Sequence, residues 1–132
     1  MCGVRTDALN ATTGAQLWNF STAGGIEGSA TVDGDRVFFG TNAGSLHCLS
    51  KTTGTELWTY STNAGIEGKP AVHKELVYVG SRDGFLRALG TEDGSLRWSL
   101  DGRGAIYGGP TIADELNTVV AAAEDCVFAT GA

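Results

Sequence analysis

Proline, cysteine and basic residues are all scarce in this sequence, and each scarcity removes a class of answer. Three cysteines, Cys2, Cys48 and Cys126, form an odd set with no CxxC pair and no histidine cluster beside them, so neither a disulfide framework nor a zinc knuckle is implied. Nine Lys and Arg stand against fifteen Asp and Glu, a formal charge of −6, which leaves no basic footprint for a phosphate backbone and argues against nucleic acid as a partner. Long apolar runs are missing as well: Val37–Phe39 and Val119–Ala123 are far too short to span a bilayer. No charged n-region, apolar h-region or cleavage site follows Met1, so the expectation is a cytosolic chain, or one read without its export signal. The triplets at Asn10 and Asn19 match the N-x-[ST] pattern, which is common by chance.

What remains is a chain of 132 residues, 42% hydrophobic, with room for one folded domain and too apolar to be disordered. Two prolines, twenty glycines and three tryptophans are its unusual counts, and their order carries more than their totals. Trp18, Trp58 and Trp98 are each forty residues apart, and the surrounding sequence keeps the same period. The segment from Ala11 to Thr22 returns from Lys51 to Thr62 and, more loosely, from Thr91 to Leu100. Gly25-Ile26-Glu27-Gly28 returns as Gly65-Ile66-Glu67-Gly68 and then as Ala105-Ile106-Tyr107-Gly108. Val37-Phe38-Phe39-Gly40 matches Val77-Tyr78-Val79-Gly80, and Val119-Val120-Ala121-Ala122 follows after a two-residue insertion near Glu115–Thr118.

Each period holds four short runs rich in Val, Phe, Tyr, Leu and Thr, separated by Gly, Asn or Asp, with no helical periodicity; this is a strand-and-turn pattern. In the second full period the strands are expected at Lys69–Val72, Leu76–Gly80, Phe85–Leu89 and Ser95–Leu100, here termed A to D. Asp83-Gly84 and Ala43-Gly44 suit the B-to-C hairpins, and Asp93-Gly94 and Thr53-Gly54 the C-to-D turns. Four antiparallel strands per forty residues predict an all-β propeller of about three blades. The expected divisions are a partial blade at 1–22, full blades at 29–60 and 69–100, and a partial blade at 109–132.

At these residues the sequence resembles the PQQ-type repeat, the blade module of quinoprotein alcohol dehydrogenases, of an outer-membrane barrel-assembly lipoprotein, and of propellers appended to sensors and adenylate-forming enzymes. The tryptophan-docking pattern of that family stands here as Ala8, Thr13-Gly14, Trp18; as Cys48, Thr53-Gly54, Trp58; and as Ala88, Asp93-Gly94, Trp98. The resemblance implies that each indole lies between adjacent blades against a neighbouring turn glycine, among Gly14, Gly54 and Gly94. It allows a periplasmic or extracellular location. The dehydrogenases of the family bind PQQ and calcium with residues from several blades, and many have a disulfide between adjacent cysteines, which this sequence lacks.

The chain starts with the C and D strands of a blade (Val4–Leu9, Gln16–Ser21) and ends with A, B and a partial C (Gly109–Ile112, Thr118–Ala121, Cys126–Ala129). Three wedges do not fill a circle, since propellers close with about four to eight blades. The expected remedy is a head-to-tail homodimer with six blades; the rival is an excised or engineered piece of a longer propeller. An open arc would leave sheet edges and apolar flanks uncovered, which favours self-association. Closure would set Cys2 and Cys126 near one another, and a bond between them depends on which strand occupies the slot.

No catalytic, cofactor-binding or metal-ligating set emerges. Gly65 to Pro70 lacks the spacing of a phosphate loop, and Gly102 to Gly108 lacks that of a dinucleotide fingerprint. His47 and Cys48 are consecutive in a strand and point to opposite faces, His47 reading as half-exposed. His73 is expected in the A-to-B turn with no nucleophile beside it. Asp33, Asp35, Asp83 and Asp93 read as turn formers that aid solubility. One column stands out, Glu27, Glu67 and Tyr107, on three successive D-to-A loops that enter the innermost strands. At the mouth of a central channel such a ring could take a cation, calcium included, or a basic peptide. The functions implied are a non-catalytic scaffold that self-assembles and binds a protein or peptide, a quinoprotein oxidoreductase remnant needing further blades to hold PQQ, or a propeller fragment whose only activity is assembly.

Overall fold

The computed structural model describes residues 4–113, 117–123 and 127–131. Cys2 and Cys126, and with them their pairing, lie outside the described residues. Four antiparallel sheets follow one another along the chain, with no helix among the described residues. The first has two strands, β1 (Val4–Leu9) and β2 (Gln16–Thr22). The second has four in sequence order: β3 (Thr31–Asp33), β4 (Arg36–Gly40), β5 (Ser45–Ser50) and β6 (Glu56–Ser61). The third repeats this with β7 (Ala71–His73), β8 (Leu76–Gly80), β9 (Phe85–Gly90) and β10 (Leu96–Asp101). The fourth has β11 (Thr111–Ala113), β12 (Thr118–Ala122) and β13 (Val127–Gly131).

Each sheet is a propeller blade, and the short strands β3, β7 and β11 lie side by side as the innermost layer. The inner strands β7 and β11 start two residues later than the sequence suggests. His73 therefore closes β7 opposite Leu76 instead of sitting in the turn. The last strand runs to Gly131, beyond the expected Ala129.

Burial explains why the second and third strands of each blade read as almost unbroken apolar runs. Val37, Phe38 and Phe39 are all buried, as are Val77, Tyr78 and Val79, because a blade covers each of their two faces. The outer strand β6 alternates between half-buried and exposed positions, as a half-solvated edge strand should, and β10 is exposed except at its half-buried Trp98. Between the second and third sheets Phe38, Leu46 and Cys48 pack with Ile66, Val77, Val79 and Leu89. Between the third and fourth, Tyr78, Leu86 and Ala88 pack with Ile106, Val119 and Ala121.

Candidate functional site

Three features repeat along the arc: a tryptophan latch, an isoleucine knob and a loop column at one end of the blades. The latch begins with register. Ala8, Cys48 and Ala88 face Trp18, Trp58 and Trp98 directly across a strand pair, and their small side chains leave room for the indole. Trp18 Nε1 donates to Lys51 O at 2.7 Å, and Trp58 Nε1 donates to Thr91 O at 2.9 Å, each time reaching the turn of the following blade. Gly54 and Gly94 hold left-handed φ values of 74° and 71° in those turns. A Cβ on either would come within 2.5 Å of the indole of Trp18 or Trp58. Gly14 has no such neighbour within 4 Å. Trp98 packs against Tyr78, ring centres 5.8 Å apart.

The knob was not legible as such. Ile66 and Ile106, in the loops entering β7 and β11, are fully buried and lie over Gly40 and Gly80, the last residues of β4 and β8. A Cβ on either glycine would penetrate the isoleucine Cγ2. Backbone bonds fix the knob: Ile66 N donates to Thr41 O at 2.8 Å and Ile106 N to Ser81 O at 3.0 Å. The recurrence of Ile forty residues apart, each 26 positions after a Gly that ends an apolar strand, was the available signal.

The loop column is real as a stack of backbones. Gly28 lies against Glu67 and Gly68, and Gly68 against Gly108 and Gly109, with no room for a Cβ at Gly28 or Gly68. Glu27 is exposed, Tyr107 is 51% exposed, and Glu67 is half-buried with Oε1 3.5 Å from Arg82 Nε. The Glu67 charge is thus answered within the chain. One period earlier Asn42 replaces Arg82 and accepts from Gly25 N through Oδ1 at 2.8 Å.

One other residue differs from its sequence-level reading. Asp83 is not an exposed turn former: Arg87 Nη2 donates to Oδ2 at 2.7 Å and Nη1 to Oδ1 at 3.1 Å, with the pair's side chains only 10% and 8% exposed for Arg and Asp. Burial alone would raise the Asp83 carboxyl, but bonds from Arg87, Phe85 N and Asn63 N, with the guanidinium charge, outweigh it and hold the group below its usual range. His47 is 14% exposed at its side chain, stacked on Phe39 with ring centres 5.3 Å apart and 2.9 Å from Glu56 Oε1 through Nδ1. Burial pushes the Cys48 thiol up to about 11 despite the opposing Arg36 guanidinium, so it is a packing residue, not a nucleophile. Ser95 N and Oγ both donate to Asp93 Oδ1, which lowers that carboxyl in the C-to-D turn. Among the described residues no three His, Cys, Asp or Glu side chains converge as a metal site would require.

Blades latched in series by tryptophan and isoleucine agree with the match of residues 5–130 to the family described as outer membrane protein assembly factor BamB. The chain belongs to this family of PQQ-type propellers. It is 32% identical to BamB from Moraxella catarrhalis over 90% of its own length, with a TM-score of 0.80, and spans 37% of that protein. The computationally designed protein Ika4 is 22% identical, with a TM-score of 0.82, 93% of this chain and 76% of that one being covered. A europium-containing methanol dehydrogenase is 16% identical, with a TM-score of 0.81 over 96% of this chain and 36% of that enzyme. The last two likenesses bear on the fold alone. Among curated proteins no sequence matches.

Proposed function

We propose that this BamB-like propeller segment is a non-catalytic scaffold that associates through the flanks of its blades and engages proteins through its loops and grooves. Leu9 carries the reading. It is 57% exposed, whereas Leu49 and Leu89, its equivalents one and two periods on, are fully buried under a neighbouring blade. An apolar side chain left in water at a position the repeat otherwise covers marks an association surface. The family description, an assembly factor, supports a role toward other proteins. A head-to-tail second copy and a propeller blade of different sequence are the two candidate occupants of the flanks.

Light scattering over a range of concentrations tests this. Mass should rise with concentration, and Leu9→Ser should weaken the rise without lowering the melting temperature. A strictly monomeric native protein at every concentration overturns the proposal. The oxidoreductase reading is separated by incubation with PQQ: retained quinone absorbance after gel filtration would favour it.

A further inference from the structure

Four Asp-Gly pairs occur in the chain, at 33–34, 83–84, 93–94 and 101–102. In such a pair the glycine nitrogen can attack the aspartate side chain that precedes it, because glycine puts no Cβ in the way. The attack needs two freedoms. The glycine N–H must not be tied to a carbonyl, and the carboxyl must not be held as a bonded carboxylate.

Three of the pairs have neither. Gly84 N donates to Ser81 O at 3.1 Å, Gly94 N to Gly90 O at 2.9 Å and Gly102 N to Gly84 O at 2.7 Å. Asp83 is gripped by Arg87 and by Phe85 N, Asp93 accepts from Ser95 N and Oγ, and Asp101 accepts from Arg103 N at 2.8 Å. The Asp83 and Asp93 carboxyls both lie below their ordinary range, so they stay ionised and are poor electrophiles.

The fourth pair is built differently. Asp33 closes β3 opposite Arg36, and Gly34, with a φ of 56°, lies beyond that last rung of the ladder. Asp33, Gly34 and Asp35 are all exposed, and a Cβ on Gly34 would meet nothing within 4 Å. Among the described residues neither the Gly34 N–H nor the Asp33 carboxylate has a hydrogen-bond partner.

We propose that Asp33-Gly34 is a modification site at which the folded chain converts aspartate to isoaspartate. The Gly34 nitrogen attacks Cγ of protonated Asp33. The N–Cγ bond forms, the Cγ–OH bond breaks, and the hydroxyl leaves with the amide proton as water, giving a cyclic imide. Solvent water then opens the imide. Addition at Cγ restores aspartate, whereas addition at the Asp33 backbone carbonyl leaves Gly34 joined through the side chain and frees a new α-carboxylate at the tip of the hairpin. The overall composition is unchanged, and water is the only co-reactant. The rearrangement inserts one backbone carbon where β3 turns into β4, out of step with the pairing of Thr31 with Phe38, Val32 with Val37 and Asp33 with Arg36.

The test ages native protein at mildly acidic pH, in buffer and in concentrated urea. Isoaspartate is located by proteolysis with mass spectrometry and by methyl transfer from S-adenosylmethionine by an isoaspartyl methyltransferase. In buffer, position 33 should convert about tenfold faster than 83, 93 or 101, the scale of one hydrogen bond that must break before attack. In urea the four should convert at similar rates. Asp33→Glu, which would need a larger ring, should remove most of the methyl acceptance of the folded protein. Equal conversion of the four pairs in buffer, faster conversion at another pair, a preference for position 33 that persists in urea, or undiminished methyl acceptance by Asp33→Glu overturns the assignment.

Discussion

Gly54 and Gly94 are the residues at which substitution should cost most for the fewest atoms. Each holds a left-handed backbone and faces an indole, so Gly94→Ala combines backbone strain with overlap and should destabilise by about 2–4 kcal/mol in denaturant unfolding. Gly14→Ala shares the strain, with φ at 75°, but meets no ring, and should cost less. The Asp83–Arg87 pair makes a second prediction. Asp83→Ala leaves a mostly buried guanidinium unpaired and should cost about 3 kcal/mol. Because the folded-state carboxyl is held below its ordinary range, its contribution is present above the unfolded value near about 3.9 and disappears as pH falls through the folded value. Native protein should therefore lose its stability advantage over Asp83→Asn progressively as pH falls below about 5 and through the lowered folded-state value in thermal melts. Cys48 supplies a third: its thiol should resist alkylating reagents until the junction between the second and third sheets opens.

At the scale of elements, the forty-residue period made the strands, their order and the glycine turns legible. Those features depend on patterns that every blade must share. The inner strand ends were not legible, because the loops entering them are held by contacts with the next blade, such as Thr31 Oγ1 donating to Pro70 O. The Asp83–Arg87 pair escaped for the opposite reason: it belongs to one blade, with Ala43 and His47 at the equivalent positions. An acid and an arginine four residues apart, appearing where the earlier period has alanine and histidine, was the clue. Arg82 beside Glu67 was hidden in the same way by Asn42. The isoleucine knobs give this scale its own test. Ile66→Ala removes a fully buried side chain from a junction and should cost about 2–4 kcal/mol in urea unfolding. Ile26→Ala, at a half-buried knob, should cost less.

For the whole molecule, the loop column sets an expectation about cations. Glu67 is already paired with Arg82, Glu27 is exposed, and the third position is Tyr107, so added calcium should leave the melting temperature unchanged. A rise on titration would establish that the protein binds calcium. The same fold is found in BamB, in a designed protein and in a dehydrogenase, so the arc itself does not dictate chemistry. What it dictates is how one wedge holds the next.

The two fasteners at the junction between the second and third sheets point in opposite directions along the polypeptide. Trp58 reaches forward to the turn at Gly94, while Ile66 reaches back to Gly40. During synthesis on the ribosome, a wedge that has just emerged therefore presents an unsealed side until roughly one further repeat has followed it, and its tryptophan finds no acceptor before then. Translation speed across each repeat, and chaperones that shield sticky surfaces, thus become determinants of yield for this architecture.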